Sequence, residues 1–133
     1  MRKLREQRGA AAVEFALIAP LLFMLIFGIT EFGLAWSQRE VYIQAAREGA
    51  RYAAVGCEDG SCAGGEVADK VQTAAVGYAL SQTPAVSPNP GCSSANSSDT
   101  VTVSWSQSFS INIPFIPPVT MSAPISAVFR CEV

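Results

Sequence analysis

The chain contains no histidine, and beyond Gly9 its only lysine is Lys70. A serine hydroxyl therefore has no imidazole to serve as its base, and only Ser–Lys or Asp-based schemes stay formally open. No glycine-rich loop follows a strand and opens a helix, so a phosphate-cradling nucleotide site has no support. Lys and Arg are not spread over a folded surface, which argues against nucleic acid as a partner. Zinc sites want close ligand pairs in both halves, and Cys92 and Cys131 have no close neighbours. Glu58, Asp59, Glu66 and Asp69 lack the spacing of a calcium loop and read as a solvated acidic segment. These absences predict a protein that is not an enzyme and carries no cofactor or metal.

What is present is a polarity. At 133 residues the chain has room for one domain, or for a small domain and an anchor. Its net charge of −2 conceals a split: Met1–Gly9 carries Arg2, Lys3, Arg5 and Arg8 against Glu6, whereas the acidic excess lies wholly beyond Gly9. A basic flank ahead of an apolar run is the positive-inside pattern. From Ala10 to Thr30 the only charge is Glu14, and as a helix this segment spans about 32 Å at 1.5 Å per residue, enough for one tilted crossing. An ionisable group in hydrocarbon costs roughly 2.5–3.5 kcal/mol, so Glu14 calls for a partner or for hydration near the interface. A secretory signal is the competing reading: Phe15–Ile29 suits its apolar core and Gly33-Leu34-Ala35 its cleavage site. That reading would release a small disulfide-braced binding domain near Ala35.

Small and apolar residues continue at helical spacing past that point, at Phe32, Ala35/Trp36, Tyr42/Ile43, Ala46, Gly49/Ala50 and Ala53. The spacing predicts one rod from about Val13 to Val55, with Pro20 a candidate kink, Trp36 near the outer interface and Gly56 as its stop. Ala46, Gly49, Ala50 and Ala53 form a small-residue stripe that either admits a neighbouring backbone or packs beneath the protein's own sheet; Gly28 and Gly33 offer similar room. A second, shorter helix is expected over Glu66–Leu80, followed by a long surface connection over residues 81–99. From Val101 the pattern alternates strictly, with Val101, Val103, Trp105, Phe109, Ile111 and Ile113 on one face and Gln107 its only interruption. A second strand from about Met121 completes an antiparallel hairpin whose apolar face the two helices must cover. The expected fold is α+β.

All four cysteines follow the apolar segment, and export places them where disulfides form. Three pairings exist. Cys57–Cys62 with Cys92–Cys131 is favoured, because the first closes a compact loop and the second staples the long connection to the last strand.

The beginning, "MRKLREQRG" followed by "AAAVEF", resembles the processing region of type IV pilin-like precursors. The strings "AAVEFALIAPLLF", "FGITEFGLAW" and "AAREGARYAA", and more weakly "ISAVFRCEV", are similar to the TadE-like family of tight-adherence pilus biogenesis proteins. The resemblance implies a minor pilin or pseudopilin whose leader, residues 1–9, is removed by a prepilin peptidase between Gly9 and Ala10. Glu14 and Phe15 then open the assembly helix, residues 10–30 cross the bacterial inner membrane with the N-terminus cytoplasmic, and residues 31–133 are exported. It further implies other pilins or pseudopilins and the pilus assembly platform as partners, with a role in priming, tip formation or assembly rather than in the bulk fibre. Incorporation into the cell-surface pilus is left open by it.

Overall fold

The computed structural model describes residues 2–56, 62, 65–92 and 99–132, with side chains from residue 9 onward. Its dominant element is α1, Arg2–Ala54, followed by α2, Glu66–Ala74, and by three strands, β1 Ala85–Ser87, β2 Thr100–Ile111 and β3 Val119–Arg130. The strands form one antiparallel sheet in the order β1-β2-β3. The fold is α+β, as the sequence predicts.

The rod begins earlier than the apolar pattern alone indicates, because nothing in Arg2–Gly9 breaks a helix. Pro20 lies inside α1. Lacking an N–H, it leaves the Ala16 carbonyl without its usual donor from four residues on. At the far end Val55 N–H donates to the Arg51 carbonyl (3.3 Å), and Gly56 takes φ 80°, the left-handed conformation that closes a helix. Two further helix-end carbonyls are capped from a distance: Cys92 N–H donates to Ala53 O (2.9 Å) and Glu132 N–H to Ala54 O (3.0 Å). Carbonyls that the helix cannot satisfy itself thereby fasten the end of β3 and the Cys92 segment to the rod.

The alternation of β2 and β3 becomes a two-faced hairpin. Val101 pairs with Phe129, Val103 with Ala127, Trp105 with Ile125 and Phe109 with Met121, all on the face toward α1. The outer face pairs Ser104 with Ser126, Ser108 with Ser122 and Ser110 with Thr120. On α1 the covered positions include Gly28, Glu31, Ala35, Gln38, Tyr42, Ala45, Ala46, Gly49, Ala50 and Ala53, one stripe at helical spacing. Lengths are similar: Gly28 to Ala54 is about 39 Å of helix, and Val101 to Ile111 is about 33 Å of strand, with Ile113 two residues further on. The hairpin therefore lies along the helix for the length of the head.

Tyr42 sits at the centre of this layer. It is 4% exposed, its ring centroid lies 5.9 Å from Phe109, 6.1 Å from Tyr78 and 6.4 Å from Trp105, and its hydroxyl donates to Ala79 O at 3.0 Å. Burial, with Tyr78 beside it, pushes the Tyr42 phenol above its ordinary pKa, so it stays a neutral donor.

Two expectations need correction. The second helix stops at Ala74 rather than running to Leu80, because Val76 and Gly77 take φ 50° and 85°. Tyr78 keeps helical spacing in the sequence, yet it reaches Tyr42 from a turn. The connection over 81–99 also contains β1, whose Ala85, Val86 and Ser87 pair with Ser104, Val103 and Thr102. Three residues between Pro84 and Pro88 are too short to leave a periodic signal. Beyond β1, side chains bond to β2 in place of a strand. Gln82 Oε1 accepts from Ser106 N–H (3.2 Å) and Ser81 Oγ from Ser108 N–H (3.0 Å). The open edge of β2 is thus partly capped without further backbone pairing.

Ala46, Ala50 and Ala53 are fully buried in this core, and a Cβ placed on Gly49 would overlap Val71 Cγ2 of α2. The stripe is spent inside the head. Gly49→Ala is expected to lower stability by about 1–3 kcal/mol through overpacking, despite the roughly 1 kcal/mol that alanine gains in a helix. Urea unfolding of the detergent-solubilised chain, followed by Trp105 emission, checks this, and adding Val71→Ala should restore part of the loss.

Candidate membrane and assembly surface

The lower part of α1 is bare. It is long and apolar enough to cross a membrane, and Val13, Phe15, Leu17, Ile18, Leu21, Phe23 and Ile29 are each more than half exposed. The other described residues offer this surface no cover, which is the situation of a helix whose solvent is lipid or another helix. Thr30 Oγ donates to Ile26 O at 2.9 Å, so the one hydroxyl at the end of the run is satisfied within the helix.

Gly9, Ala10, Glu14 and Phe15 all lie on this exposed section, in continuous helix. Glu14 is about 6 Å beyond Ala10 along the axis. Among the described residues it makes no side-chain hydrogen bond or ion pair. Gly28 meets the head, with Ile113 Cδ1 lying 3.8 Å from where a Cβ would stand, whereas a Cβ on Gly33 would meet nothing within 4 Å.

A second carboxylate is used differently. Glu31, one position past Thr30, is half-buried, and its Oε2 accepts the Asn112 N–H at 3.3 Å. Glu31 thus ties the tip of the hairpin to the top of the apolar run. Above it an aromatic and cationic ladder climbs the helix: Phe32 and Trp36 stack with centroids 6.3 Å apart, and the Arg39 guanidinium lies 5.8 Å from the Trp36 ring. Trp36 is about 9 Å beyond Thr30, the last residue of the apolar run. The role of Glu31 had no signal in the sequence beyond its position at the end of the apolar run, since its partner is a backbone group from residue 112.

Cys62, Cys92 and Cys131 lie at the opposite end of the head. Cys92 and Cys131 are bonded, with Cα atoms 5.7 Å apart. Cys62 is disulfide-bonded and buried; its expected partner Cys57 lies outside the described residues, as do Glu58 and Asp59. Clefts of about 300 and 230 Å³ flank α2. Their linings include Gly65, Val67, Val86 and Pro90 in one case, and Asp69, Gln72, Gln82 and Thr83 in the other. Asp69 is the single acidic side chain in either lining.

Residues 9–51 match the family model of TadE-like protein. The match covers the apolar run and the first buried turns of α1, and it ends before α2 and the sheet. The matched segment is similar to that of proteins associated with the tight-adherence pilus, and the exposed apolar helix is consistent with a membrane anchor. No curated protein and no solved structure matches the chain.

Proposed function

We propose that this chain, with its TadE-like helix and separate disulfide-braced head, is a minor pilin or pseudopilin of the tight-adherence pilus. In this reading a prepilin peptidase removes residues 1–9, residues 10–30 hold the protein in the inner membrane with its head exported, and the head directs priming, tip formation or assembly with other pilins and the assembly platform. The observation that carries it is Glu14: an exposed carboxylate on an apolar helix, one turn from Ala10, with no partner of its own among the described residues. Cleavage after Gly9 creates an α-ammonium on Ala10. In a neighbouring subunit that cation neutralises Glu14 in lipid, where an unpaired charge is costly. Processing then licenses association, because the uncut chain has no such amine.

Mass spectrometry of the membrane-extracted chain should find an N-terminus at Ala10. A chain starting at Trp36 would instead support release of the head by signal peptidase, a cut that severs α1 between Glu31 and the core around Tyr42. Glu14→Gln is expected to leave processing intact and to weaken co-assembly by about tenfold or more, the equivalent of roughly 1.4 kcal/mol or more. Unchanged co-purification of the processed variant with its pilin partners would remove the Glu14–Ala10 pairing.

A further inference from the structure

The thirty residues 100–129 contain no Asp, Glu, Lys or Arg. Polar but uncharged residues suit the outer face of the hairpin; the turn at its end does not look like a water-exposed turn at all. Residues 112–118 read Asn-Ile-Pro-Phe-Ile-Pro-Pro. Phe115 is 93% exposed, the most exposed large apolar residue among the described residues of the head, and its backbone is left-handed at φ 69°; Ile116 is 41% exposed beside it.

The position of this turn gives the exposure a meaning. Ile113 Cδ1 lies 3.8 Å from the Cβ position of Gly28, and Asn112 N–H is bonded to Glu31. Gly28 is about 27 Å along α1 from Ala10, against a hydrocarbon thickness of about 30 Å. Met24, one turn deeper, is half-buried as well. The hairpin ends level with the last turns of the apolar run.

The backbone of the turn is also unusually poor in bare donors. Pro114, Pro117 and Pro118 have no N–H, Ile116 N–H donates to Ile113 O at 3.1 Å, and Asn112 N–H is taken by Glu31. That leaves the Ile113 and Phe115 amides, so little polar backbone would have to leave water.

We propose that this turn is a second membrane contact, in which Phe115 and Ile116 enter the outer leaflet of the bilayer that α1 crosses. The proposal rests on reading residues 10–30 as the span. Lipid is favoured over a protein partner because the turn continues the bare apolar surface of α1 without a charged residue to orient or select a partner. The head is then held at two points, by α1 and by the hairpin tip, and cannot swing freely about the helix.

The full chain with Trp36→Phe, reconstituted in bilayers of brominated phosphatidylcholine, separates the alternatives. Into it are placed, singly, Phe115→Trp at the tip, Ile116→Trp as a second tip position that spares the left-handed residue, and Phe23→Trp on the bare helix. Buried Trp105 serves as the unquenched reference. Phe115→Trp and Ile116→Trp should lose emission to lipids brominated near the headgroup end of the chains, and Phe23→Trp to lipids brominated near the middle. Quenching of Phe23→Trp with none at either tip position overturns the proposal and leaves the span standing. No quenching at any of the three overturns both. Tip emission that shifts to the blue with protein density, and not with bromine, assigns the turn to a neighbouring subunit and overturns the lipid assignment.

Discussion

Gln107→Leu should destabilise the head by about 2–5 kcal/mol although it replaces a polar side chain in an apolar face with an apolar one of similar size. Gln107 is 2% exposed. Its Oε1 accepts from Trp105 Nε1–H and from Ser81 N–H, both at 3.0 Å, and its Nε2 donates to Ser81 Oγ at 2.8 Å and to Ala79 O at 3.4 Å. The side chain binds the segment after α2 to the middle of β2. Leucine would strand two N–H donors, each costing about 1–3 kcal/mol when buried without an acceptor. Trp105→Phe in the Gln107→Leu background should recover part of the loss, because removing both members of a buried pair is far cheaper than removing one. Thermal or urea unfolding of the single and double variants reads this directly; equal midpoints for Gln107→Leu and wild type would show that water satisfies these groups as well as Gln107 does.

Replacing Cys92 and Cys131 together by alanine should cost about 4 kcal/mol in the chain-entropy account of a loop of this size; the two residues are 39 apart in sequence. Alanine is the better probe than serine, since Cys92 is fully buried and a hydroxyl there would need a partner. The substitution is also cleaner than reductant, which would open the Cys62 bond as well. A head of this size has a total margin of about 5–15 kcal/mol, so the double variant should unfold at markedly lower urea. A shift below about 1 kcal/mol would mean that Cys92 N–H on Ala53 O, and Cys131 N–H on Asp99 O at 2.9 Å, already hold the two segments in place.

The same two sites show what could be read from the chain alone. Alternation from Val101 to Ile113 marked both the strand and its inward face, and Gln107 was visible as its lone exception. Its partners were not, because Ser81 and Ala79 lie in a Ser- and Pro-rich segment without period, and only tertiary packing brings them to β2. The α1 stripe through Ala53 was legible for the same reason as the strand, whereas the depth of residues 112–118 depends on the hairpin running down the helix rather than across it. No periodicity encodes that direction. Gly9, Ala10, Glu14 and Phe15 carry no structural signal as a group; their connection rests on resemblance to pilin precursors.

The hairpin divides α1 into a bare shaft below Gly28 and a sleeved section above it, and the sleeve lies on one side only. In the proposed assembly, a neighbouring helix lying along the shaft would meet Ile113 and the turn beyond it as a stop on that azimuth, while the other azimuths stay open up to the level of Trp36, which is itself 56% exposed. The molecule is therefore not interchangeable around its own axis. A neighbouring subunit in the proposed assembly would meet the helix at two different heights, depending on the side from which it approached.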